Sequence, residues 1–403
     1  MKEISFIHCA DLHLDSPMIG LRNLPSSIQK RLQESTFTAF AKLVEKALSL
    51  QVDFIIIAGD IYDGEDRSIR AQIRFKKELE RLQKQNIKVF IVHGNHDHLS
   101  GSWVHLQWPD NVYIFPAEVT KAVFTNDNAT VSLYGFSYET RHIYDRKIDT
   151  YKKEDSTDFH IGILHGSVEG SSGHSPYAPF RLHDLNSKLM DYWALGHIHK
   201  REVLQSSPPI VYPGNIQGRH KKETGEKGAY YVRLNETGTE SIFLSTADVI
   251  WKKIELDAAS VQTVDELILL CRQKIEEERK EKVSSILLVE ITNVSMESVY
   301  PTDLLEILQT EEMEEAEERQ FVWISSIKLK RDTTWIKDNV INESDFYKEL
   351  FTIAENRTEV VKGVAPLYQN PAAHRFLTEL TEEDKKDLAE EAENLLISLL
   401  YKR

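Results

Sequence analysis

Residues 53–63 read DFIIIAGDIYD, an apolar run of strand length followed by glycine and two aspartates. The same order of apolar run and polar residues recurs at 4–13 (ISFIHCADLH), 89–98 (VFIVHGNHDH), 160–167 (HIGILHGS) and 192–199 (YWALGHIH). An apolar run without alternation is typical of a strand that is buried on both faces. Two segments, Ile28–Leu50 and Ile69–Gln85, lie between the first three runs, and their apolar residues recur at helical spacing. The sequence therefore predicts an α/β fold with parallel strands at its start.

Polar residues of the kinds that bind metals follow each predicted strand. They are Asp11, His13, Asp60, Asn95, His165, His197 and His199. Each motif alone is a common polar turn, but chance does not place such residues after five successive strands. In parallel sheets, ligands bind beyond the carboxyl ends of the strands. Two divalent cations need a bridging carboxylate, and mixed imidazole and oxygen ligands suit manganese, iron or zinc better than magnesium or calcium.

Length and composition exclude several classes of protein. The chain has 403 residues, of which 41% are hydrophobic and 28% charged, which predicts two or three globular domains. These values exclude a disordered chain, a collagen-like repeat and a membrane protein, since the apolar runs are far shorter than a membrane span. Asp11 comes too early for a secretory leader. The two cysteines, Cys9 and Cys271, cannot form a disulfide framework, so we expect a cytoplasmic protein.

The net charge of -15 argues at first against nucleic acid as a partner, because phosphates attract lysine and arginine. The charge is unevenly distributed, however: residues 1–250 carry -2 and residues 251–403 carry -13. Two bound divalent cations would make the N-terminal part positive by about 2 charges, a field that attracts phosphate. Acidity therefore does not exclude DNA, but it predicts weak binding by the chain alone.

The pattern beyond the repeated motifs predicts three regions, at 1–250, 251–338 and 339–403. The first closes with a hairpin around Asn235–Gly238. The second has a helix at Val261–Lys280, a strand in SSILLVEITNV and a helix at Thr302–Gln309, which is typical of a small α+β domain. The third is mostly helical, with an interruption around Gly363–Pro371.

The motif series D-x-H, G-D-x-x-D, G-N-H-D, H-G and G-H-x-H resembles that of the calcineurin-like metallophosphoesterase superfamily. Within it, the segment YPGNIQGRH at 212–220 is similar to the SbcD-type DNA-repair nucleases, and ADLHLDSP at 10–17 is similar to the YhaO-type branch. The resemblance implies a four-layer β-sandwich flanked by helices, a small capping domain and a C-terminal helical segment. That segment would dock on an SbcC-like ATPase of the SMC type, and the family also suggests a homodimer.

The resemblance also implies roles for single residues. One metal would be bound by Asp11, His13, Asp60 and His199, and the other by Asp60, Asn95, His165 and His197, with Asp60 as the bridge. His96 would protonate the leaving oxygen, and Asp97 would orient the ring of His96. Imidazole suits that role because its pKa lies near the working pH. The implied cofactors are two divalent metal ions, Mn²⁺ first, with iron or zinc as alternatives.

Arg219 and His220 are the predicted substrate-binding residues, in a basic cluster with Lys221 and Lys222. Arginine can bind a phosphate through two hydrogen bonds, whereas the alternative for the lysines is a solvated turn. Asp63 has two interpretations. Some relatives carry histidine at its position near the DNA, but a residue at the start of a helix is the favoured interpretation here.

The expected function is that of a two-metal-dependent phosphodiesterase that cleaves DNA, as an exonuclease or endonuclease in repair or end processing, by attack of an activated water. One alternative is a phosphodiesterase that acts on a small phosphoester such as a cyclic nucleotide. Another is a largely non-catalytic subunit that tethers DNA or an ATPase. The expected partners are DNA, the ATPase and a second copy of the chain, with no membrane.

Overall fold

The structure is a computed structural model that describes residues 2–21, 23–63, 68–101, 104, 106–154, 157–170, 177–281, 283–296, 299–315, 320–330, 344–370, 373, 377, 380 and 382–401. The chain divides into two compact units. The first comprises Met1–Lys253, Gln273–Leu288 and Leu305–Ser326, and the second comprises Ile254–Arg272, Val289–Leu304 and Ile327–Arg403. Among the described helices, none combines the length and the hydrophobicity that crossing a bilayer requires.

Strands and helices alternate at the start of the chain, as predicted. The strands are β1 (Glu3–Cys9), β2 (Phe54–Ala58), β3 (Lys88–Val92), β4 (Val112–Ile114), β5 (Thr120–Thr125), β6 (Thr130–Gly135), β7 (Phe159–His165), β8 (Tyr192–Gly196), β9 (Glu202–Ser206), β10 (Pro209–Tyr212), β11 (Gly228–Asn235), β12 (Gly238–Ser245), β13 (Val249–Asp257), β14 (Ser284–Thr292) and β15 (Val322–Leu329). The helices are α1 (Ser26–Leu50), α2 (Ile69–Gln83), α3 (Leu182–Ser187), α4 (Val264–Lys280), α5 (Pro301–Glu315), α6 (Asp345–Glu355), α7 (Arg357–Gln369) and α8 (Glu382–Tyr401).

Helices α1 and α2 confirm the predicted helical segments between the first strands. Ser68 is the N-cap of α2, and its side chain accepts a hydrogen bond from the Ala71 amide. This satisfies one of the amide groups that a helix leaves free at its start. The predicted hairpin is also present, because β11 and β12 pair up to Asn235 and Gly238 at the turn.

The first sheet has the strand order β12-β11-β1-β2-β3-β4. Strands β1, β2 and β3 are parallel, so their carboxyl ends lie at one edge. Strand β2 is buried along its whole length. Successive side chains of a strand point to opposite faces, so Phe54 and Ile56 face one core while Ile55 and Ile57 face another. This explains why the apolar run does not alternate with polar residues.

The second sheet has the order β5-β6-β7-β8-β10-β9, and β6, β7 and β8 are parallel. His165 at the end of β7 pairs with Gly196 at the end of β8. The register therefore brings the polar residues after both strands to the same edge of this sheet.

The two sheets pack face to face in the first unit. Their shared core contains Phe6 and Phe54 from the first sheet, and Leu133, Ile161 and Tyr192 from the second. Helices α1 and α2 cover the outer face of the first sheet, and α3 with the segment around residues 143–151 covers the outer face of the second. The structure thus confirms the predicted α/β sandwich with helical outer layers.

The third sheet has the order β13-β14-β15. The predicted domain boundary at 250 falls inside β13, and the boundary at 338 lies outside the described residues, so both stay predictions. The C-terminal region is helical, with one difference from the prediction. Helix α7 continues through Gly363 and Pro366 to Gln369, so the chain does not leave the helix at Gly363.

Candidate metal centre

The seven predicted ligands come together where strands of both sheets end. Four of them, Asp11, His13, Asp60 and His197, have positive φ angles of 52°, 43°, 52° and 98°. Residues other than glycine rarely adopt this conformation, and such strain concentrates at functional sites. Backbone hydrogen bonds stabilise this conformation at two of the positions. The Asp11 amide donates to the Gly59 carbonyl, and the His13 amide donates to the Asp60 carbonyl. The sharp turn after each strand points successive polar side chains into one space.

Glycines make room for His165 at the centre of this space. A Cβ atom on Gly59 would lie 2.1 Å from His165 Nδ1, and one on Gly94 would lie 2.7 Å from His165 Nε2. A Cβ atom on Gly196 would lie 1.8 Å from the Ala58 carbonyl oxygen. No side chain fits at such distances, which explains why glycine stands beside the polar residues in three of the motifs.

The ligand atoms form two groups. In the first, Asp11, His13 and His199 each place a ligand atom within 4.8 Å of the others, and the Nε2 atoms of the two histidines are 3.0 Å apart. In the second, Asp60, His165 and His197 do the same. Each group contains only residues that the resemblance assigns to the same metal. Asn95 and the bridging contact of Asp60 are additional to these two groups.

Asn95 and Asp60 complete the arrangement. Asn95 Oδ1 lies 3.1 Å from His165 Nε2 and 3.2 Å from His197 Nδ1, so it belongs to the second group. Asp60 Oδ2 lies 3.3 Å from His165 Nε2 and 4.0 Å from His13 Nε2. Asp60 therefore stands between the two groups, where a bridging carboxylate is needed. Which residue binds which metal stays a prediction.

Hydrogen bonds select the tautomer of two of the histidine rings. His165 Nδ1 lies 2.9 Å from the Ala58 carbonyl oxygen, which can only accept, so Nδ1 carries the proton. His199 Nδ1 lies 2.6 Å from Glu223 Oε1, which is likewise an acceptor. In the neutral rings, each Nε2 atom then presents a lone pair to the other ligand atoms. Such a convergence of lone pairs fits a cation, so the residues fit divalent metals.

The electrostatics of the second group agree with this interpretation. Burial alone would lower the pKa of His165, but the Asp60 charge and hydrogen bond outweigh it and raise the pKa to about 9. Burial would also raise the pKa of Asp60, yet the surrounding His165, His96 and His13 keep it well below its ordinary value. For Asp11, burial dominates and raises the pKa. A buried place that favours positive charge so strongly is suited to a metal ion.

His96 borders the two groups. Its ring centroid is 5.3 Å from that of His13, and its side chain is 31% exposed, so a substrate can reach it. Its amide donates to Asp60 Oδ1 over 3.0 Å. Burial would lower the pKa of His96, but Asp60 and Asp63 together raise it above its ordinary value. The ring is therefore able to hold a proton beside the metal centre.

The carboxylate at the His96 ring is that of Asp63, which corrects the prediction for Asp97. Asp63 Oδ1 lies 2.9 Å from His96 Nδ1, an ion-pair contact outside the usual hydrogen-bond angle, and 3.6 Å from His13 Nδ1. Asp63 Oδ2 accepts hydrogen bonds from Ser16 and Arg219. Burial would raise the pKa of Asp63, but its contacts with His13 and His96, together with the Arg219 charge, keep the pKa far below its ordinary value. Asp63 is not the start of α2, whose N-cap is Ser68; it connects a predicted ligand with the predicted proton donor.

Asp97 instead supports the loop that carries Asn95 and His96. It is buried, and its carboxylate accepts hydrogen bonds from the amides of Gly94 and Ile61 over 2.6 and 3.0 Å. It also lies 2.9 Å from His93 Nδ1. The sequence places Asp97 one residue after His96, but the turn directs the two side chains to different neighbours.

Arg219 and His220 also differ from the prediction of a phosphate clamp. Arg219 is buried, and its Nη1 donates to Ser16 Oγ over 2.6 Å and to Asp63 Oδ2 over 2.9 Å. His220 Nε2 lies 3.3 Å from Glu223 Oε1, and Nδ1 accepts from the Lys222 amide. Arg219 Nη1 and both ring nitrogens of His220 are thus engaged within the protein. Arg219 acts on the site through Asp63 rather than from the surface.

Sequence reasoning missed Glu223. It is buried, binds His199 through Oε1 and accepts the Arg219 amide through Oε2 over 2.6 Å. Burial would raise the pKa of Glu223, but its contacts with His199 and His220 and the Arg219 charge lower it. Its position in the basic segment RHKKE gave only a weak signal, because an isolated acid among bases is usually an ion pair at the surface.

Comparison with known proteins gives the same description of these motifs. Residues 4–201 match the family described as calcineurin-like phosphoesterase. The chain is 37% identical over 402 residues, 98% of both chains, to a Bacillus subtilis (strain 168) protein named uncharacterized metallophosphoesterase YhaO. It is also similar to two archaeal proteins named DNA double-strand break repair protein Mre11. Identity is 25% over 242 residues for Sulfurisphaera tokodaii (56% of this chain, 59% of that protein) and 24% over 294 residues for Methanocaldococcus jannaschii (69% and 70%).

Proposed function

The chain belongs to the calcineurin-like metallophosphoesterases, and from this membership we propose that it is a two-metal-dependent phosphodiesterase that cleaves DNA. The observation that carries the proposal is the convergence of two ligand groups on either side of Asp60. A pair of metals is the arrangement that stabilises both the attacking and the leaving oxygen of an in-line displacement at phosphorus. Among the described residues, the predicted ligand set is complete, which supports catalysis over a tethering role alone.

The metals would supply Lewis acidity and lower the pKa of a water molecule when they are bound. The chain itself positions them through the seven ligands and holds a proton beside them on His96. Asp63 keeps the ring of His96 in place, and Arg219 and Ser16 keep Asp63 in place. In our proposal, His96 gives its proton to the departing sugar oxygen, a contribution of about 10²–10⁴ in rate for a general acid.

Manganese is the proposed metal, with iron or zinc as alternatives. The ligand atoms include four imidazole nitrogens and carboxylate and amide oxygens. Magnesium and calcium prefer shells made of oxygen alone, and structural zinc sites prefer thiolates. Cys9, the cysteine nearest in sequence to the ligands, is buried and bonds to the Ile56 carbonyl. This mixed set therefore favours manganese, iron or zinc over magnesium or calcium.

DNA is the proposed substrate because two relatives carry the name DNA double-strand break repair protein. The distribution of charge supports this choice, since most of the net charge of -15 lies beyond residue 250. Divalent metals would make the N-terminal part attractive to phosphates. Binding should then depend on metal and decrease with salt.

The decisive experiment is cleavage of end-labelled single- and double-stranded DNA by the full chain with manganese. We expect the wild-type protein to cleave DNA, a chelator to abolish cleavage, and His96→Ala to lose most of the turnover. Hydrolysis of small phosphodiesters or a cyclic nucleotide without cleavage of DNA would favour the small-substrate alternative. Binding of an ATPase or DNA with no cleavage of any phosphoester would favour the tethering subunit.

We further propose that the C-terminal region docks on an SbcC-like ATPase. Helices α6 and α8 bury Phe351 and Ile397, but Phe346 and Leu395 are 67% and 60% exposed. Exposed apolar side chains on helices suit a partner's helix. Co-purification of the ATPase with the wild-type chain but not with Phe346→Asp would support docking. A homodimer and a cytoplasmic location, consistent with two buried free cysteines, complete the proposal.

A further inference from the structure

A row of aromatic rings leads from the surface to the metal centre. The ring of Tyr144 stacks on His142 with centroids 5.9 Å apart and an interplanar angle of 11°. His142 stacks in turn on Tyr177, at 5.6 Å and 22°. Tyr177 lies 5.1 Å from the ring of His197, a member of the second ligand group. Tyr144 is 62% exposed, so the outer end of the row is open to solvent.

The loop that carries the outer rings is firmly attached to the sandwich. Ile143, between the two outer rings, is buried in the core that covers the second sheet. The amide of Ala178, next to Tyr177, donates to the carbonyl of Ile143 over 2.7 Å. Ile148 and Tyr151 anchor the following residues in the same core. The rings are therefore held in one position before a ligand arrives, which lowers the entropy cost of binding.

We propose that Tyr144, His142 and Tyr177 form a stacking platform for an unpaired nucleobase of the substrate strand. This inference rests on the proposed cleavage of DNA. The platform would bind a base of the same strand whose phosphate lies at the metal centre. It would thereby favour single strands and frayed ends over fully paired DNA.

The chemistry of the row selects this class of ligand. Every nucleobase has a π-face, and stacking on aromatic side chains binds single strands without regard to sequence. The phosphates of such a strand would be attracted to the metals, while its bases need a different kind of surface. In a duplex, the faces of the internal bases are already stacked on each other, so they cannot use the row. An exposed, nearly parallel set of rings near a phosphate site therefore suits both the base and the phosphate of an unpaired nucleotide.

The test combines removal of a ring with removal of the bases. Binding of a fluorescein-labelled deoxyadenosine decamer is compared with that of an abasic decamer of the same length, by fluorescence anisotropy with manganese. The protein is the full chain in the His96→Ala background, which limits cleavage during the measurement. Tyr144→Ala should weaken binding of the base-bearing decamer by about fivefold, at the lower end for base–aromatic stacking. Binding of the abasic decamer should change by less than about twofold, and Tyr144→Phe, which keeps the ring, should bind like the parent.

Several results would overturn the inference. An equal loss on both decamers would mean that Tyr144 acts on the backbone, and an unchanged affinity for the base-bearing decamer would exclude stacking. An equally large loss on a blunt duplex would assign the row to duplex ends instead. His142→Ala provides a second variant in case one substitution disturbs the loop, and thermal melting checks folding.

The proposed function is tested separately with the wild-type chain and manganese. If wild-type protein cleaves the decamer but the ring variants lose nothing, only the stacking platform is refuted. If wild-type protein hydrolyses bis(p-nitrophenyl) phosphate but neither binds nor cleaves DNA, the DNA substrate itself is refuted. The two failures are therefore distinguishable.

Discussion

Glu223 fixes the orientation of a predicted metal ligand, and its replacement provides a direct test of the first ligand group. Its carboxylate faces three donors, with His199 Nδ1 and the Arg219 amide both at 2.6 Å and His220 Nε2 at 3.3 Å. In Glu223→Ala, His199 Nδ1 loses its acceptor, so the ring no longer prefers the form in which Nε2 is free for the metal. The buried Arg219 amide loses its acceptor as well.

The expected magnitude follows from these contacts. Loss of a partner that orients a metal ligand typically weakens metal binding by about 10–100-fold, or roughly 1.4–2.7 kcal/mol. Among the described residues, Glu223 contacts a ligand of the first group and none of the second. We therefore expect one of two metals to bind more weakly while the other is unchanged. The orphaned amide should also lower the free energy of unfolding by about 1–3 kcal/mol.

The assay is titration of the metal-free protein with manganese, by calorimetry and by metal analysis after dialysis at limiting metal. Glu223→Ala should retain close to one ion where the wild-type protein retains two. Glu223→Gln should lie between them, because its amide accepts only one of the two short hydrogen bonds. His220→Ala is the matched control, since it removes only the longest contact. A folded Glu223→Ala protein that binds two ions with wild-type affinity would refute the reasoning.

Three further predictions concern other parts of the site and the core. Asp60→Ala should lose metal together with activity, whereas His96→Ala should keep its metal and lose about 10²–10⁴ in turnover, measured by metal analysis and DNA cleavage. Gly196→Ala should lower the Tm by roughly 5–10 °C, because its new Cβ would lie 1.8 Å from the Ala58 carbonyl oxygen. Burial lowers the pKa of His8 to about 3, so the free energy of unfolding should fall as the pH drops below about 6.5, by up to about 1.4 kcal/mol per pH unit. His8→Gln should reduce that slope in denaturant titrations.

Each of these predictions has a contrary outcome. Equal metal content in the Asp60 and His96 variants would remove the bridging role from Asp60. Gly363→Ala is the control for Gly196→Ala, because a Cβ atom there has no neighbour within 4 Å; equal melting temperatures for both variants would contradict the packing argument. The sign for His8 follows from its neutral folded state: the unfolded chain takes up a proton from pH 6.5 downward, and the folded chain does so only near pH 3. An unchanged slope in His8→Gln would assign the acid sensitivity to other groups.

The corrections at the site have a common physical cause. Asp97 follows His96 directly in the chain, yet it binds the Gly94 and Ile61 amides, while Asp63 comes to the His96 ring from another strand end. Arg219 was predicted to bind the substrate, but Asp63 and Ser16 hold its guanidinium inside the protein. The partners of the His96 ring and of Arg219 lie far away in sequence. Charge and residue type alone do not reveal which distant side chain a fold brings into contact.

The amino-acid sequence by itself determined the strand-and-helix order of the first half and the identity of the seven candidate ligands. Both follow from local rules, because a buried strand needs a continuous apolar run and a sharp turn after it needs glycine or a polar residue. The tertiary structure alone decided which residues support the ligands and orient their rings. Ala58 and Glu223 set the free nitrogens of His165 and His199 across 107 and 24 residues of chain. Such contacts arise only when two sheets and their loops pack together, and no short stretch of sequence contains both partners.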